Sequence, residues 1–161
     1  MAVDMFLKVG DLEGESTDTK HGKEIDVLAW SWGMSQSGTT HMGGGGGAGK
    51  VSVQDLSVTK YVDSSSHNLV LGCCNGKHYP EALLTVRKAG EEPLEYLKIT
   101  MKEVLISSIS TGGSGGEDRL TENVTLNFAE FKIEYQPQGP DGKAEGGAKE
   151  AGWKIAENVK A

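Results

Sequence analysis

Alternation of apolar and polar residues with a period of two runs through most of this 161-residue chain and slips by one residue at three places. Such alternation is typical of β-strands with one buried face. The slips lie between Val53 and Leu56, between residues 101 and 104, and between residues 128 and 131. A slip moves the apolar set to the opposite face of a strand unless a bulge corrects it. The pattern therefore predicts long, sharply bent strands, as in a β-barrel or a tightly rolled two-sheet sandwich.

Seven strands and one helix are predicted from these patterns. The strands cover residues 5–9, 25–35, 51–62, 82–88, 96–110, 120–135 and 152–159. Helical spacing of apolar residues predicts one short helix over 64–75, with Asp63 as its N-cap and Asn75-Gly76 as its C-terminal stop. The whole chain, 1–161, is expected to form one mainly β domain, in which a linker at 136–150 precedes the last strand.

The strand predicted over residues 25–35 has two unlike faces. Its large side chains are expected to face the core: Leu28, Trp30, Trp32 and Met34. Its other face carries only small residues: Ala29, Ser31 and Gly33. Small residues leave room for a close neighbour or give a smooth surface. Ordinary exposed small residues explain this face equally well.

A polar stripe without charges lies on the strand near residue 124. Its members are Thr121, Asn123, Thr125 and Asn127, which alternate with apolar residues. A wall of this kind would be wetted and would not adhere firmly to cargo. An ordinary solvent face is the alternative explanation.

The glycine-rich run at 42–50 spells G-x-x-x-x-G-K from Gly44 but lacks the surroundings of a phosphate-binding loop. The residue after Lys50 is Val51, whereas a phosphate loop has Ser or Thr there to bind Mg²⁺. The segment that follows has the period of a strand, whereas a phosphate loop leads into a helix. We therefore expect an extended loop at about 38–50 that moves unless a partner fixes it, because adjacent glycines lose much backbone entropy on ordering.

Charge and hydropathy restrict the partners. The net charge is −7 and no strongly basic patch is visible, which argues against nucleic acid as the main partner. No apolar stretch approaches the length of a membrane span, so no membrane insertion is expected. The N-terminus lacks the basic and apolar regions of a secretory signal peptide, so we expect cytoplasmic synthesis without a cleaved signal.

No catalytic or metal-binding set emerges from the sequence. The adjacent Cys73 and Cys74 are expected to be small buried thiols, and the histidines lack ligand spacing, so we expect neither metal nor cofactor. There is no G-x-S-x-G motif and no Cys–His pair with an orienting group. The carboxylates of Asp55, Glu117 and Asp118 are expected to be solvated. This favours a structural or binding protein over an NTP-dependent enzyme, with a monomeric ligand-binding β-domain as the alternative.

Four segments of the chain resemble the Hcp family (haemolysin-coregulated protein), the tube protein of bacterial type VI secretion, and most of all its Pseudomonas-type members. They are EIDVLAWSWGMSQS at 24–37, HMGGGGGAGKV at 41–51, GKHYP at 76–80 and STGGSGGEDRLTENVTLNF at 110–128. The main departures from the family are Cys73-Cys74 and the segment 137–149.

This resemblance implies a bulged two-sheet β-barrel with one short flanking α-helix, similar to phage tail tube proteins. It implies homohexameric rings that stack into a hollow tube inside a contractile sheath, with a VgrG spike at the tip. Contraction of the sheath would eject the tube into the medium or a target cell. Small effector proteins would be carried and protected in the ring lumen.

The resemblance also implies roles for particular residues. It places Ser31 towards the lumen, and the neighbouring candidates for a lumenal surface are Ala29, Gly33, Thr125 and Asn127. The glycine-rich loop would contact a neighbouring subunit or ring through the following residues: Thr39, Thr40, His41, Met42, Gly43, Gly44, Gly45, Gly46, Gly47, Ala48, Gly49 and Lys50.

Overall fold

A computed structural model describes residues 3–38 and 49–161 of the chain. Within these ranges it contains eleven strands and one helix. The elements are β1 Val3–Val9, β2 Ile25–Ser31, β3 Met34–Ser35, β4 Ser52–Val53, β5 Leu56–Tyr61, α1 Ser66–Asn75, β6 His78–Lys88, β7 Leu94–Gly112, β8 Thr121–Asn127, β9 Glu130–Tyr135, β10 Lys149–Lys154 and β11 Val159–Lys160.

Six antiparallel strands close into a barrel. They are hydrogen-bonded in the order β7-β6-β1-β2-β5-β8, and β8 returns to β7. Strand β7 has 19 residues, enough to pair with β9 along its first half and with β8 along its second half. Strands β9, β10 and β11 therefore extend the sheet beyond the barrel. The prediction of a mainly β, bulged barrel with one helix is confirmed.

Each predicted slip coincides with a break between strands or with a left-handed residue. The slip between Val53 and Leu56 is the break between β4 and β5. The second is at Glu103, whose φ of 55° is left-handed and where β7 changes partner from β9 to β8. The third is the break at Phe128 and Ala129 between β8 and β9. The slips in the alternation therefore mark the positions at which the chain leaves one neighbouring strand and pairs with another.

The prediction that Leu28 and Met34 face the core is wrong. The register of β2 against β5 shifts between Val27 and Ala29, and this bulge leaves Leu28 41% exposed. Met34 lies on the separate strand β3 and is 45% exposed. Trp30 and Trp32 do pack against the core, although each remains half-buried.

Two further strand boundaries differ from prediction. The single strand predicted over 120–135 is divided into β8 and β9, and the one predicted over 152–159 is the hairpin of β10 and β11. The predicted linker at 136–150 contains a bridge between Gln138 and Ala144 and the first residues of β10. The pairing of β8 with β5 and β7, and of β9 with β7, decides the first of these boundaries, and the local pattern does not contain it.

Helix α1 begins two residues later than predicted and packs on β7. The Asp63 carboxylate accepts the backbone N–H of Ser65 at 2.8 Å, so it shapes the turn before the helix and does not cap it. Gly76 ends the helix with a left-handed φ of 66°, as predicted. Both cysteines are free thiols, but Cys73 is only half-buried and Cys74 is exposed, contrary to prediction.

No helix in the described ranges is long and apolar enough to cross a membrane.

Candidate functional site

The small side of β2 and the polar stripe of β8 lie on one outer face of the barrel, joined by β5 and continued by β7. Two cross-strand rows make up this surface, here called the neutral face: Ser31, Ser57, Thr125 and Ser108 in the first, and Ala29, Thr59, Asn123 and Ser110 in the second. Directly paired residues of neighbouring antiparallel strands project from the same side of a sheet. The row between them is Trp30, Val58, Val124 and Ile109, which packs on or in the core.

Hydrogen bonds tie the neutral face together. The Thr59 hydroxyl donates to Asn123 Oδ1 at 2.8 Å. The Thr125 hydroxyl lies 2.7 Å from the Ser107 hydroxyl and 2.6 Å from the Ser108 hydroxyl. These hydroxyl groups satisfy one another, so they have less need of a partner from outside.

Asp55 is the one charged side chain among those that these hydrogen bonds link to the neutral face. The Ser107 hydroxyl donates to its Oδ2 at 2.6 Å, and Asn127 Nδ2 donates to its Oδ1 at 2.9 Å. Asp55 is half-buried and bonded on both oxygens, so the prediction of a simply solvated carboxylate fails for it. Glu117 and Asp118 are exposed, as predicted.

The structure brings together four of the five predicted lumenal residues. Ala29, Ser31 and Thr125 lie in the rows of the neutral face, and Asn127 joins it through Asp55. Gly33 lies apart, in the connection between β2 and β3, where its carbonyl accepts the N–H of Gln54 at 2.9 Å. Strand β2 ends at Ser31, so its alternation does not continue to Gly33.

The predicted contact loop lies mostly outside the described residues. Of its members only Gly49 and Lys50 are described, and both are exposed. The loop is closed at its base by β3 and β4, in which Met34 pairs with Val53.

A buried ion pair that was not predicted from the sequence lies beneath the neutral face. Lys60 of β5 and Glu122 of β8 are directly paired, bonded through Nζ and Oε1, and wholly buried. Asp63 Oδ1 lies 3.1 Å from Lys60 Nζ, and the Ser66 hydroxyl donates to Glu122 Oε1 at 2.6 Å. The network therefore joins the start of α1 to the barrel wall. The sequence did contain a sign of this pair. Glu122 lies two residues before Val124 and therefore shares the apolar side of the strand.

A second missed feature is an outer surface on β7, β9 and β10 with alternating charges, here called the charged face. Its ion pairs join Lys102 to Glu130 at 3.6 Å and Lys132 to both Glu134 at 3.7 Å and Glu150 at 2.9 Å. Hydrogen bonding to Lys132 lowers the pKa of Glu150, and the same bond raises the pKa of Lys132. Opposite charges on neighbouring strands support the pairing of the extension with the barrel.

These features define an antiparallel β-barrel protein whose outer wall has one neutral and one charged side. A family model described as "Type VI secretion system effector, Hcp" matches residues 6–135. The chain belongs to this family of secreted type VI secretion proteins, which confirms the resemblance found in the sequence.

Individual relatives agree with this assignment. The chain is 68% identical to protein hcp1 of Pseudomonas aeruginosa over the full length of both. The crystal structure of Hcp1 from Salmonella typhimurium matches with a TM-score of 0.83 and 42% identity, covering 100% of both chains. A structure titled as a type six secretion system protein matches with a TM-score of 0.93 and 33% identity, covering 99% of this chain and 100% of the other.

Proposed function

We propose that this chain is the structural unit of the inner tube of a type VI secretion system. Copies assemble into homohexameric rings, the rings stack, and the neutral face lines the channel that they enclose. The observation that carries this proposal is the union of two separate stripes, on β2 and β8, into one surface whose two cross-strand rows carry no charged side chain. In a closed ring with cyclic symmetry, each copy presents the same surface to the axis.

The chemistry of the neutral face suits a channel through which proteins pass. Its hydroxyl and amide groups bond to one another, as between Thr59 and Asn123, so the wall is wetted but offers few unsatisfied groups. Small effector proteins would be retained by many weak contacts and still be released. The role is structural, because contraction of a surrounding sheath supplies the free energy and a VgrG spike leads the tube.

Contacts between copies are proposed for the glycine-rich loop. Its described end, Gly49 and Lys50, is exposed beside the β3–β4 base and is free to reach a neighbour. Each contact between rings need only be weak, because many act together along a tube. The whole chain would act as one tube domain, exported by the type VI system.

A size measurement and one substitution test the proposal. Light scattering after size-exclusion chromatography should give a hexamer, whereas a stable monomer at high concentration would favour a ligand-binding β-domain.

Ser31→Gln should leave the hexamer intact and reduce the amount of effector that co-purifies, because a larger side chain fills the neutral face. The matched control is Ser114→Gln, at an exposed serine outside that face. Equal effector retention in the two variants would refute a lumenal position for Ser31.

A further inference from the structure

The connection between β1 and β2, residues 10–24, crosses the outside of the barrel over β1 and β6 and is here called the strap. Beneath it three side chains form a stack. The Phe6 and His21 rings lie 4.5 Å apart at 11°, and the Arg87 guanidinium carbon lies 5.0 Å from the centre of the Phe6 ring. All three residues are buried, although Phe6 lies outside the main core cluster.

Both ring nitrogens of His21 point at carboxylates. His21 Nδ1 lies 2.7 Å from Glu24 Oε2, within the strap, and Nε2 lies 2.6 Å from Glu95 Oε1, on β7. An ionised carboxylate can only accept hydrogen bonds. Both nitrogens must therefore carry protons for both bonds to form, and only the imidazolium form of histidine does so.

The other charges around His21 favour a cation at this position. Beyond the two bonded glutamates these are Asp4 of β1, Asp18 of the strap, Arg87 of β6 and Lys98 of β7, and Asp26 of β2 interacts electrostatically with Asp4 and Asp18. Arg87 is already paired with two of the carboxylates, those of Asp4 at 3.0 Å and Asp18 at 2.5 Å. The Arg87 guanidinium holds the pKa of Asp18 well below its usual range.

We propose that the strap is fastened to the barrel by a protonation-dependent clamp, in which the imidazolium of His21 joins Glu24 of the strap to Glu95 of β7. Loss of one ring proton would leave a nitrogen lone pair facing a carboxylate oxygen and would break one of the two bonds. The Arg87–Asp18 pair does not involve the His21 ring, although Asp18 also accepts the His21 backbone N–H at 3.1 Å, so the strap would loosen locally and the barrel would stay folded.

The direction of the pH dependence follows from these bonds. The clamp needs a proton on each ring nitrogen, so it is complete in the imidazolium form and loses one bond when a ring proton leaves at higher pH. Burial opposes ionisation of Glu95, but hydrogen bonds from His21 and Lys98 outweigh it and lower the pKa of Glu95. The acid limit of the His21–Glu95 bond therefore lies below the ordinary range of a glutamate.

The decisive measurement is hydrogen exchange of the strap in the assembled, full-length protein. Backbone amides of residues 10–24 should exchange roughly tenfold faster at about pH 8.5 than at about pH 6, after correction for intrinsic exchange rates, because one charge-assisted hydrogen bond is lost. Peptides from β5 and β8 should not change. Ring resonances of His21, with the exposed His67 as reference, report protonation in the same samples.

One substitution separates the clamp from a general effect of pH. In Glu95→Gln the amide can donate to an unprotonated ring nitrogen, so the second ring proton is no longer required and the pH dependence of strap exchange should flatten. Glu91→Gln, at an exposed glutamate before β7, is the control and should behave as the wild type. Unchanged strap exchange in the wild type while His21 loses its proton would overturn the proposal, even if Glu95→Gln fails to fold. Full pH dependence in a folded Glu95→Gln variant would also overturn it.

Discussion

The neutral face and the charged face share the strand β7 but differ in how they use charge. Along its first half β7 pairs with β9, where Lys102 lies opposite Glu130. Along its second half it pairs with β8, where Ser108 lies opposite Thr125. The change occurs at the left-handed Glu103. The period of two is the same on both sides of the slip at Glu103, so outward side chains can specialise one strand for two environments without changing the core.

The ion pairs of the two faces also differ in how far they are buried. On the charged face the ion pairs are exposed to water, where they contribute little to stability and are screened by salt. Beneath the neutral face the Lys60–Glu122 pair is wholly buried, where each charge depends on the other. The uncharged rows of the neutral face thus lie over a wholly buried ion pair.

The largest effect is expected from breaking the buried pair. Glu122→Gln removes one of the two carboxylates beside the buried Lys60 ammonium and leaves only Asp63, at 3.1 Å, so it should lower the free energy of unfolding by about 3 kcal/mol. Urea denaturation followed by circular dichroism measures this loss. Glu117→Gln, at an exposed glutamate, is the control. The double variant Lys60→Met with Glu122→Leu should recover part of the stability, because Asp63 loses Lys60 but keeps its hydrogen bonds from Ser65. A loss as large as in the single variant would contradict this account.

An intermediate effect is expected at the polar end of the neutral face. Asp55→Ala leaves the Ser107 hydroxyl and the Asn127 amide without their acceptor and should cost about 1 kcal/mol, because water can replace only part of these bonds. The same urea measurement detects it, with the exposed Asp118→Ala as control. A stability equal to that of the control would mean that the hydrogen bonds around Asp55 contribute nothing to the fold.

The smallest effect is expected on the charged face. Lys132→Ala removes pairs with Glu134 and Glu150 that are open to solvent, so unfolding should barely change, and high salt should abolish any difference. The pKa of Glu150 is lower in the folded protein than in the unfolded chain. The stability that this ion pair contributes is therefore fully present above the pKa of an unfolded glutamate and is lost as pH falls through the pKa of folded Glu150. A loss comparable to that of Glu122→Gln would remove the contrast between buried and exposed pairs.

The strands and their bends were largely predictable from the sequence because one-sided burial imposes a period of two. The exception at Leu28 shows the limit of that rule. Its bulge arises from the register of β2 against β5, and those strands are separated in sequence by the glycine-rich loop. The division of residues 120–135 between β8 and β9 has the same origin, since β7 pairs with each of them in turn.

The candidate site was predictable in its parts but not as a surface. Ser31 and Thr125 were each identified from the composition of their own strand, yet their adjacency depends on Ser57 of β5 between them. The bonds of Asp55 and the contact of His21 with Glu95 join residues distant in sequence. Such contacts follow from barrel closure, which local periodicity does not encode.

The double pairing of β7 has a mechanical consequence. Its 19 residues, at about 3.3 Å each, form a continuous backbone of roughly 60 Å that belongs to both the barrel and its extension. A push on the extension would therefore travel into the barrel along covalent bonds as well as across hydrogen bonds. A force along β7 would have to break its backbone hydrogen bonds to the strands on both sides at once.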